Sequence, residues 1–557
     1  MSSPGLNAAP PARELGWTPM IFIGLGLALI VMDATIINVS LPSIIADLEI
    51  TSVDAEWIGA IYALVFAALL IIFGRLGDRY GRRKVFLLGA MVFTVASLVA
   101  AVAPTGQALI AARALQGVGG AMMSPTSLAL VNALYRGRRR TIAFAIYGSL
   151  IGGMAAIGPL LGGFLTTYAS WRWAFGINLP LAAAIIIGGL RVVPESREDH
   201  PEPGTDVVGA VASALGIGAL VFALIEGRSY GWWTAQVDGS LLGVSWHAGG
   251  PSPVAVALVV SAVAIGTLTW VEQARVRAGR VVLIDLSLFR IRSFGLGSMA
   301  ALIVSMGEFG VLFSFPLFLQ SALGYTALGA GALLASLALG SFLSAPTTAR
   351  LAARIGTRNV ARLGMGLEAI GILGLGLVVT AQVSAAAMVG WLVVYGIGVG
   401  YASAQLTGLI LADVPVRQSG QASGTQSTAR QIGSALGTAV LGTVLFVGLA
   451  HDTETRVAQV PGVDAAQAAE VARLVEESAG TAIPGIAAQP GGEPIAEAAR
   501  AAFADALRRT AVVGAGFVTL GLFATLALPP ARREEHEDGA DPAALAALQG
   551  GGGPGGN

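Results

Sequence analysis

Residues 57–84 read WIGAIYALVFAALLIIFGRLGDRYGRRK, and this stretch decides the fold. Its first part, 57–73, holds no charge. At 1.5 Å per residue a helix of that length reaches about 26 Å, close to the roughly 30 Å hydrocarbon layer of a bilayer. Its second part packs Arg75, Asp78, Arg79, Arg82, Arg83 and Lys84 into one short segment. An apolar run that ends abruptly in clustered arginines reads as a transmembrane helix whose end faces the cytoplasm.

Similar runs lie on both sides. Spans are expected near 20–41, 57–73, 85–103, 109–131, 141–166, 173–192, 207–225 and 253–271, then near 294–319, 327–347, 360–380, 385–408, 429–449 and 511–529. Buried helices of soluble proteins hold about 10–14 apolar residues, which cannot account for so many long runs. Composition agrees: the 557 residues are 55% hydrophobic and 12% charged, against about 25% charged in soluble domains. The expected fold class is an all-α polytopic membrane protein with about fourteen spans. No cleavable signal peptide is apparent, because the first run is long enough to span.

The basic residues orient the chain. Arg136, Arg138, Arg139 and Arg140 lie between spans 4 and 5, Arg275, Arg277 and Arg280 after span 8, and Arg350, Arg354 and Arg358 after span 10. All of these are even-to-odd loops. The loop 42–56 carries Asp47, Glu49, Asp54 and Glu56 and no basic residue. The positive-inside rule then puts the even-to-odd loops and both termini in the cytoplasm of a cell whose inner (plasma) membrane holds the chain. Residues 226–252, with Trp232, Trp233 and Trp246, and residues 450–509 are expected outside. The second of these reads as a solvated cap with helix-like stretches such as AAQAAEVARLVEE. The tail ending GGGGPGGN reads as disordered.

Several function classes fall away. Net charge is zero, so nothing points to nucleic acid. There is no cysteine, and His200, His247, His451 and His536 all fall in segments expected to connect spans, so no metal site or clustered nucleophile is expected in the membrane. An ATP-driven pump would need a phosphate loop ending Gly-Lys-Ser/Thr, but the one lysine, Lys84, is followed by Val85.

The basic turn recurs. Residues 74–83 (GRLGDRYGRR) are echoed at 349–358 (ARLAARIGTR), where Arg75, Leu76, Arg79, Gly81 and Arg83 return as Arg350, Leu351, Arg354, Gly356 and Arg358. Gly74 and Ala349 lie 275 residues apart, and both copies join an even span to an odd one. This is the pattern of a parallel two-halved transporter. The expected division is a cytoplasmic segment 1–19, a six-helix half 20–192, a linker 193–292 with two inserted spans, a second half 293–529 and a cytoplasmic tail 530–557.

Four motifs in order sharpen this. GRLGDRYGRRKV resembles the loop 2–3 signature of the major facilitator superfamily. ALIAARALQGVGGAMMSP resembles its span-4 motif, GSLIGGMAAIGPLLGGFL its span-5 antiporter motif, and MDATIINVSLPSI the span-1 motif of the fourteen-helix drug:proton antiporter family. The C-terminal half matches more weakly, through the degenerate turn and GQASGTQSTARQIGSALGTA at 420–439. The resemblance implies a proton-coupled antiporter, working as a monomer without a cofactor beyond the proton gradient. Its partners would be protons, the bilayer and an amphipathic small molecule such as a drug, dye or antibiotic. The alternatives are a dedicated exporter of an endogenous lipid, siderophore or secondary metabolite, and an uptake symporter, against which the span-5 motif argues.

Charge inside the membrane is costly, about 2.5–3.5 kcal/mol at a helix centre on insertion scales, and usually marks a pathway. Asp33 lies mid-span 1, with Asn38 further along, and Arg113 and Gln116 lie in span 4. Asp33 suits a proton carrier or a structural hydrogen-bond acceptor; for Arg113 the resemblance implies proton transfer, with a structural ion pair as the alternative. The repeat offset carries Asp33 onto Glu308, mid-span 9, so the two acids are expected to face one cavity unless Glu308 serves only to bond a neighbouring helix. Aligning the glycine runs sets Leu392 opposite Arg113, which leaves the cation to one half. Glu368, read as nearer the cytoplasmic side, and Gln405 are candidate cavity residues. Gly158, Pro159, Gly162 and Gly163 suggest a tight contact across the two halves, either gating or plain packing. Gly74, Asp78, Arg79, Gly81 and Arg82 resemble a gate, in which an acid meets a helix N-terminus or a cation in one conformation. Ala353 stands where Asp78 would recur, so the gate is expected on one side only.

Overall fold

The computed structural model describes residues 16–50, 52–198, 206–241 and 244–527. The expected N-terminal segment and the glycine-rich tail lie mostly outside the described residues. Fourteen long helical spans account for most of the rest. The first six are α1 (Thr18–Leu48), α2 (Ser52–Tyr80), α3 (Arg82–Ala101), α4 (Gly106–Leu134), α5 (Gly137–Tyr168) and α6 (Trp173–Val192, interrupted at Ile177). Two follow as α7 (Val207–Tyr230) and α8 (Pro253–Arg277). The last six are α9 (Arg292–Ser321), α10 (Ala327–Ile355), α11 (Thr357–Val378), α12 (Ala385–Ile410), α13 (Ser419–Val457) and α14 (Glu493–Ala524).

Thirteen of these are long and apolar enough to cross a membrane, and α4 is the exception. Its Arg113, Gln116, Ser124, Thr126 and Ser127 are all buried against protein. A helix that turns its polar groups inward can tolerate a lower apolar content in a bilayer.

The repeat is visible in the helix bounds. At the offset of 275 residues, α10 coincides with α2 at both ends, and α11 starts where α3 does. The hinge between each pair has a physical cause: Gly81 and its counterpart Gly356 both adopt positive φ, +118° and +84°, which only glycine enters without strain. Contacts repeat too. α3 packs on α4 as α11 packs on α12, while α5 lies along α10 and α2 along α13. The register is lost after α12, because α13 runs for 39 residues, about 58 Å and far longer than a bilayer needs.

The two inserted helices pack on each other, and α7 also lies against α2. Between them the expected loop shrinks, since α7 runs to Tyr230 and a short hairpin pairs Gly239–Leu241 with Val244–Trp246. Trp246 is buried there, whereas Trp233 stays exposed. The span-13 boundary also needs correcting: His451 lies within α13, not in a connecting segment. The stretch AAQAAEVARLVEE is a helix, Ala465–Glu477, started by a capping box between Asp464 and Gln467. At the same end of the bundle Asp47 accepts from Arg172 at 2.5 Å and from Trp171 at 3.0 Å. These bonds hold its carboxyl below the usual range.

Candidate functional site

Asp33 sits at the middle of α1 and is wholly buried. Its Oδ2 meets Arg113 of α4 at 2.5 Å. Its Oδ1 accepts from Gln116 at 3.1 Å and from Asn178, at the break in α6, at 2.7 Å. Ser97 of α3 closes the network, taking bonds from Gln116 and Asn178 at 2.9 and 3.2 Å. Arg113 also bonds Gln116 Oε1 at 2.9 Å and the Ile58 carbonyl at 3.2 Å, and its guanidinium lies 4.4 Å from the Tyr62 ring centre. Five helices, α1, α2, α3, α4 and α6, thus converge on the network around one ion pair. Charge-assisted bonds in a dry interior are about twice as strong as neutral ones, so this knot ties α1 to its own half. Sequence reasoning found Asp33, Arg113 and Gln116 but missed Ser97, Asn178 and Tyr62. Asn178 was the findable one, a polar residue inside an apolar run. The side chain of Asn38 lies outside the described residues.

The counterpart in the second half is wired differently. Glu308 of α9 is buried, and its nearest cation is Arg430 of α13 at 3.7 Å. The Tyr395 hydroxyl donates to the Glu308 backbone carbonyl at 3.2 Å. Glu368 is buried close enough that its charge and that of Glu308 act on each other, and its Oε1 has no partner among the described residues. Two expectations change here. The cation is not confined to one half: Leu392 does face the core in α12, but α13 supplies Arg430 instead. Glu368 is not near one end; it lies at the midpoint of α11, where Gly398 lets α12 approach its backbone. Gln405 is buried in α12 with Nε2 unpartnered among the described residues.

At the arginine-rich end, Asp78 is fully buried. It accepts from Arg82 at 2.6 and 3.0 Å, and from the backbone amides of Gly420 and Gln421 at 2.8 and 2.9 Å. Those amides belong to the first turn of α13, where helical N–H groups have no internal partner and the dipole favours an anion. Arg82 reaches on to the Val416 carbonyl at 2.5 Å and to Ser196 at 2.7 Å. One carboxylate therefore joins the two halves. Gly74 permits this contact, since a Cβ there would sit 2.3 Å from the Gly420 carbonyl oxygen. Gly81 makes room for Glu195, whose carboxylate accepts from the first-turn amides of α3 at Arg83 and Lys84. Arg79 is half-buried one residue beyond Asp78. Ala353 is exposed, so the second turn has no such latch.

The span-5 glycines correct one expectation. Gly158 and Gly162 press α5 onto Thr35 and Ile36 of α1, within the first half. Of Gly158, Gly162 and Gly163, Gly163 alone faces the other half, against Leu328, and the Pro159–Leu160 backbone beside it receives Gly331 of α10. Close α5–α10 contact comes mainly from Gly152, Gly153 and Gly331, while Gly148 meets Ala404 of α12.

The Major Facilitator Superfamily sequence profile matches residues 23–438. A probable actinorhodin transporter of Streptomyces coelicolor is 33% identical, over 79% of this chain and 74% of its own length. Multidrug resistance protein Stp of Mycobacterium tuberculosis is 32% identical over 83% and 81%. Multidrug efflux pump LfrA of Mycolicibacterium smegmatis is 31% identical over 90% and 94%. The crystal structure of the human organic anion transporter MFSD10 (TETRAN) superposes with a TM-score of 0.55 at 15% identity, over 93% of this chain and all of that one, a likeness of fold. A bundle of fourteen long helices among the described residues, a buried ion pair whose network ties five of them, and relatives aligned along most of its length place this multi-pass membrane transporter in the major facilitator superfamily.

Proposed function

We propose that the chain is a proton-coupled antiporter of the fourteen-helix type, which exports amphipathic small molecules by alternating access. The observation that carries the reading is Asp33, a buried carboxylate whose charge is balanced by Arg113 in a network of five helices. Protonating Asp33 removes the Coulomb attraction and turns an acceptor of three donors into a group that must itself donate. The knot then loosens and the balance between the two access states shifts, which is what coupling requires. The Asp78 latch on α13 belongs to one of those states and must break for the halves to rock. The clustered arginines of the α2–α3 and α4–α5 turns support a cytoplasmic placement of that end and of both termini in the inner (plasma) membrane.

Relatives named for multidrug efflux and for actinorhodin transport support small-molecule drugs and antibiotics as cargo. Export is tested in everted vesicles carrying the protein, with an imposed pH gradient and a fluorescent cationic dye. Uphill dye movement that collapses with the gradient is expected. Dye movement that survives a protonophore would end the reading.

A further inference from the structure

The inserted helices have no part in the mechanism above, yet they build a cavity beside the gate. The cleft measures about 330 Å³ and lies between α2, α7 and the segment that follows α8. Ile72, Leu76, Ala210, Ala214, Val281 and Leu283 make its walls apolar, and Arg75, Arg79 and Asp206 stand in its lining. The wall helix α7 turns Val207 and Val211 outward, 64% and 53% exposed. In a spanning helix such a face meets hydrocarbon, so the cleft opens sideways to lipid.

Charges in the cleft favour an anion. Asp206 is paired with Arg275, Nε to Oδ2 at 3.1 Å, a cation it shares with the buried Glu272 behind the cleft. Glu198 engages Arg75 through one terminal nitrogen at 3.1 Å, while the buried Arg75 Nε has no partner among the described residues. A guanidinium presents five donors in a planar fork that suits a phosphate bidentately. Both arginines lie in the last two turns of α2, at the end where clustered basic residues place the headgroup layer.

We propose that this cleft binds an anionic phospholipid, with its phosphate on Arg75 and Arg79 and an acyl chain along α7. At 330 Å³ the cleft is at the small end of ligand cavities, about 300–1,000 Å³, and takes part of one chain rather than a whole lipid. The inserted region thereby gains a role in lipid binding, because α7 and the 281–283 segment supply most of the apolar wall beside the arginines. The cleft also touches the latch, because Arg75 and Arg79 flank Asp78, and Glu198, the partner of Arg75, donates its backbone N–H to the Asp78 carbonyl at 2.8 Å.

The test needs no gradient and so does not depend on the export reading. The purified full-length protein in detergent is titrated with phosphatidylglycerol or with phosphatidylcholine of the same chains, and retained lipid is counted by native mass spectrometry. Phosphatidylglycerol is expected to be retained at about tenfold lower concentration, and not to be displaced by inorganic phosphate. Ala214→Trp, which fills the cleft, and Arg75→Gln, which removes the fork, should each weaken that retention about tenfold. Equal retention of the two lipids by the unsubstituted protein overturns the proposal without any variant having to fold. Wild-type retention by Ala214→Trp, or displacement by inorganic phosphate, overturns it as well.

Discussion

The two halves hold acids at the same register, and they treat them differently. Asp33 faces three side-chain donors, one of them a cation, with every bond at 3.1 Å or less. Glu308 has a single cation at 3.7 Å, and Glu368 beside it has an oxygen without a partner among the described residues. In the first half the charges balance one to one. In the second, two carboxyls share one arginine, which leaves Glu368 without a cation of its own among the described residues. Duplication accounts for the positions. What differs is what the neighbouring helices present: Arg113 and Asn178 against α1, but Arg430 of α13 against α9.

Several substitutions would break or sharpen this contrast. The largest effect is expected at Asp33→Asn, which keeps the shape and removes the charge. Gradient-driven export should drop to the level of empty vesicles while the folded protein persists in the membrane. Full export would show that the tight knot is scaffolding and that coupling lies in the other half.

Asp78→Asn comes next. It weakens charge-assisted bonds to Arg82 and to two backbone amides, costing the latched state about 2 kcal/mol, roughly thirtyfold in the two-state equilibrium. The chain lacks cysteine, so spin labels can be placed without background at Tyr80→Cys and Val416→Cys, both exposed. Pulsed electron resonance should then show a longer-distance population grow. An unchanged distance distribution would deny that Asp78 holds the halves together.

In the second half the two acids should part company. Glu308→Gln breaks the 3.7 Å pair with Arg430, a partly exposed cation that keeps Glu368 nearby, and should cost about 1–2 kcal/mol of thermal stability, below the 3–5 kcal/mol of a fully buried broken pair. Glu368→Gln replaces an acid that has no cation of its own and should shift the melting temperature little. Transport by Glu308→Gln separates its roles: a cargo contact predicts that cationic dyes suffer more than neutral ones, and a proton carrier predicts equal loss. Equal destabilisation by the two variants would erase the asymmetry drawn from the ion pairs.

The smallest effect belongs to a region with no counterpart in the first half. Asp464→Ala removes the N-cap of the helix Ala465–Glu477, worth about 1 kcal/mol locally. Faster amide exchange confined to 464–478, with export intact, is expected. Lost export would make the segment part of the pathway.

The helices, their order, the repeat and the orientation signal were legible in the chain itself, because in a bilayer each span must satisfy its own backbone and advertise its length in apolar residues. Asp33, Arg113 and Glu308 were legible for the same reason, since a charge in an apolar run is conspicuous, whereas Asp78 was legible through the loop signature GRLGDRYGRR around it. Their partners were not. Arg430 stands 122 positions beyond Glu308, and Gly420 lies 342 beyond Asp78. Asn178 stood out as a polar residue in an apolar run, but nothing in the chain tied it to Asp33. Likewise the span-5 glycines announced close packing without saying against what, and only the assembled bundle turned two of them to α1. Hydrophobic length is a property of a single segment and is written locally. Pairing depends on which helix faces which across the bundle, and only the tertiary structure decides that.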